Sequence, residues 1–168
     1  NTVLRLYLTW AQRGPSTIIA KRYAADRIAF FSACYRRERG VLELLHRYGC
    51  AVPRVYAGAD LVYLANIDPD LQESVCRQVE AAKLVAMDTM GLWIRTKPAA
   101  LRRVLRKVDL LFANDEEIRM LTDEWNLVKA GKKILAQGPR VVIVKKGEHG
   151  ALVFGRNLVF GIMAHPTE

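Results

Sequence analysis

From Leu61 onward, short apolar runs alternate with stretches whose apolar residues recur every three or four positions, as in buried parallel strands joined by crossover helices. The first run, Leu61-Val62-Tyr63-Leu64-Ala65-Asn66, reads as a strand and is closed by Asp68-Pro69. Proline suits a first helical turn, so Pro69 opens a helix expected to reach about Glu80. Lys83 to Met87 is the next strand, ending on Asp88. Lys97-Pro98 opens a helix over Ala99 to Lys107, in which Leu101, Val104, Leu105 and Val108 form an apolar stripe and Arg102, Arg103 and Arg106 a solvated face. Asp109 to Ala113 reads as a third strand, and Asn114-Asp115-Glu116-Glu117 as the acidic first turn of another helix. A helix from Leu127 to Gln137 stops at Gly138-Pro139. Arg140 to Lys145 is a fourth strand, Gly147 to Gly150 a turn, and Ala151 to Phe154 with Leu158 to Met163 a hairpin.

Right-handed crossovers between such strands give an α/β fold with a mainly parallel sheet, expected to be covered on both faces. Ligands in these sheets sit at the carboxyl ends of strands, which places Asp88, Asn114 and Lys145 to Gly147 along one edge. Residues 1–50 break the pattern: they show no clean strand alternation and no glycine-rich turn, and they carry the basic run Arg36, Arg37, Arg39. The chain therefore divides into a basic segment, 1–50, and an α/β domain, 51–168.

Composition changes this picture little. A hydrophobic fraction of 51% and a charged fraction of 26% are those of a folded domain, and 168 residues suffice for one core. The net charge of +9 favours anionic partners, nucleotide or nucleic acid alike, without choosing between them. Cys34, Cys50 and Cys76 are odd in number and lack metal-type spacing, so they read as reduced thiols in a cytoplasmic protein. No apolar run is long enough for a membrane span, and no membrane partner is expected.

Two segments carry candidate chemistry. Asn114-x-x-Glu117 sets an amide and a carboxylate three positions apart at a strand-to-helix junction, which suits either a hydrated Mg²⁺ ion and a phosphate or an ordinary capping box. Val141 to Lys145 followed by Lys146-Gly147-Glu148-His149-Gly150 is a buried strand running into a turn whose glycines admit close approach of a phosphate or an adenine edge, as a plain β-turn also would.

In order and spacing, Asp88-Thr89-Met90-Gly91-Leu92-Trp93-Ile94, then Val108 to Glu117, then Gly138-Pro139-Arg140 and Lys145 to Gly150 resemble the PfkB-type, ribokinase-like carbohydrate kinases, over about residues 52 to 154. The resemblance implies an incomplete ribokinase-like three-layer sandwich, with ATP and Mg²⁺ as cofactors and a sugar or polyol as substrate. It gives Asn114 and Glu117 to magnesium and phosphate, and Lys145, Gly147 and Gly150 to the nucleotide. Gly91 stands where relatives tend to carry asparagine. The Gly-Ala-Gly-Asp motif that supplies the family's anion hole and catalytic aspartate is not in this sequence, so no catalytic residue is assigned and substrate residues are unknown. Ala57-Gly58-Ala59-Asp60 imitates the motif but precedes a strand instead of opening a helix.

The expectation is ATP-dependent phosphoryl transfer to a sugar or related hydroxyl compound in the complete protein, with this polypeptide inactive or partner-dependent by itself. A noncatalytic nucleotide-binding protein is the alternative, and open strand edges would favour a homo-oligomer. A nucleic-acid-binding role for Arg36, Arg37, Arg39 and the basic helix ranks last, because no reading helix or set of stacking aromatics accompanies them.

Overall fold

The computed structural model describes residues 51–52, 56 and 58–165. Segment 1–50, with Cys34, Cys50 and the Arg36, Arg37, Arg39 cluster, lies outside the described residues. The elements run β1 (Leu61–Leu64), α1 (Pro69–Cys76), β2 (Leu84–Asp88), α2 (Gly91–Thr96), α3 (Pro98–Leu105), β3 (Leu110–Asn114), α4 (Asp115–Thr122), α5 (Leu127–Leu135), β4 (Val141–Lys145), β5 (Ala151–Gly155) and β6 (Leu158–Ile162), with one 3-10 turn at Gly147–His149 between β4 and β5. They form a six-stranded sheet in the order β1-β2-β3-β4-β5-β6. Strands β1 to β4 are parallel, and β5 and β6 return antiparallel as a hairpin. The α/β class and mainly parallel sheet are as the sequence pattern implies.

Consecutive strand order has a geometric consequence. When each right-handed crossover returns to the next neighbour, every connecting helix lands on the same face. The register aligns Leu64, Met87, Leu111, Val142 and Phe154 across five strands. All five belong to one core, shared with Ile94, Leu101, Val104, Leu105, Ile118, Ala130 and Ile134 from the helices. The opposite face carries Tyr63, Leu110, Phe112, Ile143 and Val153, half-buried and outside that core. Among the described residues, therefore, helices cover one face of the sheet, as fits one part of the expected three-layer sandwich. Counting apolar positions could not reveal this, because a nearly unbroken run such as Leu84-Val-Ala-Met87 looks alike in both cases.

Three expectations are corrected locally. α1 ends at Cys76 and not near Glu80: Arg77 caps it, and the Gln78 amide tightens onto the Val75 carbonyl at 2.8 Å while its side chain holds Ser74 and the Val52 amide. β1 ends at Leu64 because Ala65 turns its carbonyl to the Ile67 amide and to Gln72. Arg103 is not merely solvated, since it donates to Glu73 at 2.9 Å and to Asp70 at 3.0 Å, joining α3 to α1. Lys97 reinforces the same seam through Asp68 and Asp70. The helix α2 was not anticipated at all.

Candidate functional site

The carboxyl ends of β1 to β4 meet along one edge, and hydrogen bonds to buried side chains fix their relative height. Gln72, only 1% exposed, donates Nε2 to the Ala65 carbonyl at 2.9 Å and to the Asp88 carbonyl at 3.0 Å, tying the ends of β1 and β2 together from α1. At the opposite edge Asp109 accepts from the Val85 amide at 2.9 Å, which sets β2 against β3. Asp60 also lies at that opposite edge, immediately before β1, with its carbonyl accepting from the Lys83 and Leu84 amides. It opens no helix, as expected of a chance match to the missing motif.

Asn114 closes β3 and caps α4. Its Oδ1 accepts from the Glu117 amide at 2.7 Å, and Glu117 Oε2 accepts from the Asn114 amide at 2.7 Å. The capping box is thus real, and it uses one oxygen of each side chain. Glu117 is 9% exposed, and burial pushes its carboxyl above the ordinary value of 4.5. The Asn114 amide and the Lys145 ammonium oppose that rise, while Asp88 and Glu116 add to it. No group of three or more His, Cys, Asp or Glu among the described residues could enclose a metal ion. A single carboxylate oxygen beside an amide fits a hydrated Mg²⁺ that shares its coordination with phosphate oxygens, and it does not fit an all-protein metal cage.

The register pairs Asn114 with Lys145, the last residue of β4. Lys145 Nζ lies 3.1 Å from each carboxylate oxygen of Asp88, two strands away. Tyr63 Oη donates to Asp88 Oδ2 at 3.3 Å, and its phenol is pushed up to about 12 by desolvation first and by Asp88 second, so it stays a neutral donor. Asn114, Glu117, Asp88 and Lys145 therefore gather at one edge, with two carboxylates to one ammonium. Asp115 and Glu116 add further negative charge at the start of α4. An anion alone is poorly served by such a site, whereas an anion that brings a divalent cation is well served.

The two glycines predicted at the nucleotide separate sharply. Gly147 has φ +57, and a Cβ there would meet nothing within 4 Å, so the space beside it is open. Gly150 has φ +88, and a Cβ there would lie 1.9 Å from the Ile162 carbonyl oxygen, so the crossing backbone of β6 by itself demands glycine. Gly91 opens α2, with the Arg95 guanidinium 3.4 Å from its would-be Cβ. The strand ends already placed Asp88 on the same edge as Lys145, but its contact with Lys145, and the part played by Tyr63, emerge only from the strand register.

Residues 54–168 match the profile of the pfkB family carbohydrate kinases. The chain belongs to that family. It is 24% identical over 106 residues to a cytidine kinase of Thermococcus kodakarensis, a match covering 61% of this chain and 38% of the relative. Among solved structures it resembles a PfkB protein from Polaromonas sp. JS666 (TM-score 0.60, 18% identity, 68% of this chain and 44% of that one). It also resembles an E. coli protein assigned as ribokinase II and solved with ATP and Mg²⁺ (TM-score 0.58, 22% identity, 68% and 41%). These likenesses establish the ribokinase-like fold, and the pfkB chain spans less than half the length of the relatives it matches. Among the described residues no helix is long and apolar enough to cross a membrane.

Proposed function

We propose that the α/β domain binds ATP with Mg²⁺ at the carboxyl edge of β2 to β4, as the nucleotide-handling part of a kinase that phosphorylates a hydroxyl of a sugar or related compound. The observation that carries this reading is the strand-end cluster: Asn114 and Glu117, locked together by the capping box, stand at the end of β3 level with Lys145, whose ammonium meets Asp88. In this assignment Asn114 and Glu117 hold the metal, Lys145 and Gly147 border the phosphates, and Gly150 shapes the turn that presents Gly147. A bound Mg²⁺ would neutralise phosphate charge that the carboxylates otherwise repel. A cytidine kinase and a ribokinase II crystallised with ATP and Mg²⁺ among its relatives support the cofactors and leave both sugars and nucleosides as candidate substrate classes.

In the complete protein the substrate hydroxyl would attack the γ-phosphorus in line, the bond from that phosphorus to the β-phosphate oxygen would break, and ADP would leave. The hydroxyl proton needs a base, and the Gly-Ala-Gly-Asp motif that would supply it is not in this sequence. The polypeptide alone is therefore a binder whose transfer rate falls about 10²- to 10⁴-fold or more short of a complete relative. Isothermal titration tests the reading. Saturable binding of ATP in Mg²⁺, lost in EDTA, is expected; no binding, or equal binding with and without the metal, overturns it.

A further inference from the structure

Resting on that nucleotide site, we propose that Asp88 is a positioning residue for phosphate binding: pinned by Tyr63 and the Thr89 amide, it holds the Lys145 ammonium across the end of β3, so that nucleotide phosphates meet a fixed cation.

Lys145 ends β4 level with Asn114, whereas Asp88 ends β2 level with Phe112, one strand beyond β3 and two residues nearer the strand starts. Strands lie about 4.8 Å apart, so the two backbones stand roughly two strand spacings from each other, and an extended lysine stem, the 3.1 Å contact and the Asp88 side chain together bridge them. An exposed lysine adopts such a stretched and turned-back course only when an acceptor holds it, because its rotamer freedom opposes it. The acceptor is built before the lysine arrives. Tyr63 Oη donates to Asp88 Oδ2 at 3.3 Å, and the Thr89 amide donates to Oδ1 at 2.9 Å. Tyr63 is itself fixed edge-on against Phe112 with ring centroids 5.9 Å apart. Gln72 clamps the Asp88 carbonyl from beneath. The ammonium meets both oxygens of Asp88 and interacts electrostatically with Glu117, and an ammonium has a third proton to offer a phosphate oxygen.

Simple charge counting predicts the reverse of this inference. Removing a carboxylate next to a polyphosphate site should tighten anion binding. The test compares Asp88→Asn, Lys145→Met, the double variant and Tyr63→Phe, reading the Kd for ATP in Mg²⁺ by titration calorimetry and the acylation rate of Lys145 by mass spectrometry. Asp88→Asn is expected to weaken binding about tenfold, the double variant to be no weaker than Lys145→Met alone, and Lys145 to acylate faster once released. Tyr63→Phe leaves the carboxylate and the fold in place and should shift both readouts the same way by less, which keeps the inference testable if Asp88→Asn does not fold. Unchanged or tighter binding by Asp88→Asn, or losses that add in the double variant, overturn the positioning role. Failure of the wild-type chain to bind ATP overturns the nucleotide site, and the role of Asp88 with it.

Discussion

Glu117 closes the capping box of α4 and stands in the proposed metal site. Its carboxylate is buried, and this outweighs the hydrogen bond from the Asn114 amide, so the charged form is disfavoured in the folded chain and its carboxyl titrates above 4.5. The sign for stability follows from linkage: the favourable contribution is complete below 4.5, where the group is protonated folded or unfolded, and is lost as pH rises through the folded-state value. Glu117→Gln keeps an acceptor for the Asn114 amide and removes the charge. It should be as stable as the wild type or more so at pH 7, and its urea midpoint should lack the wild-type decline above 4.5, while binding of ATP in Mg²⁺ weakens about 10- to 100-fold. A large loss of stability at pH 7 would show that the charge itself supports the helix. The paired glycines give a second contrast. Gly147→Ala faces only left-handed backbone strain, about 1–2 kcal/mol, whereas Gly150→Ala adds a collision with the Ile162 carbonyl and should cost about 2–5 kcal/mol. Chemical denaturation of both variants, with ATP binding measured on Gly147→Ala, separates a glycine kept for a ligand from one kept for the hairpin.

At the scale of elements, the seams between α1, α3 and the sheet ends divide into exposed ion pairs and a buried amide, and burial decides their worth. The Arg103 side chain is 43% exposed, so Arg103→Met should leave the denaturation midpoint nearly unmoved despite two short contacts. Gln72 is buried, and Gln72→Leu takes its amide donor away from the Asp88 carbonyl and leaves the Ala65 carbonyl only the Ile67 amide, at a cost of about 2 kcal/mol and with faster amide exchange at the end of β1. Equal effects from the two substitutions would sink this ranking. The same elements show what the sequence made legible. Pro69 and Pro98 marked helix starts, Asn114 with three acids marked the start of α4, and Gly138 marked the end of α5, because each is a local backbone signal. The short helix α2 was missed, since Met90 offers no side-chain cap and Gly91 reads as a breaker. Asn114 and Glu117 were legible through their spacing along one turn. Asp88 was legible only as a strand end on this edge, and its contact with Lys145, like the parts of Tyr63 and Gln72, was not, because these arise from pairing across strands, which no local pattern encodes.

At the scale of the whole molecule, the described helices pack on one side of the sheet, and the other side carries half-buried apolar residues. β6 makes this sharpest: Leu158, Val159, Phe160 and Ile162 are each about half exposed or more, and the strand forms the sheet's last edge without a charge or proline along its length. Natural edge strands carry such devices to prevent pairing with another chain. Two copies could pair antiparallel about Phe160, setting Leu158 opposite Ile162 and extending the sheet from one copy to the next. The 168-residue polypeptide is therefore expected to self-associate in a concentration-dependent way by light scattering coupled to size exclusion. Phe160→Lys, which puts a charge at the centre of that edge while leaving the helix-covered core untouched, should shift it to monomer without reducing ATP binding. Association that survives the substitution would move the contact away from β6, and a wild-type chain that stays monomeric at every concentration would mean that its own residues suffice to protect this edge.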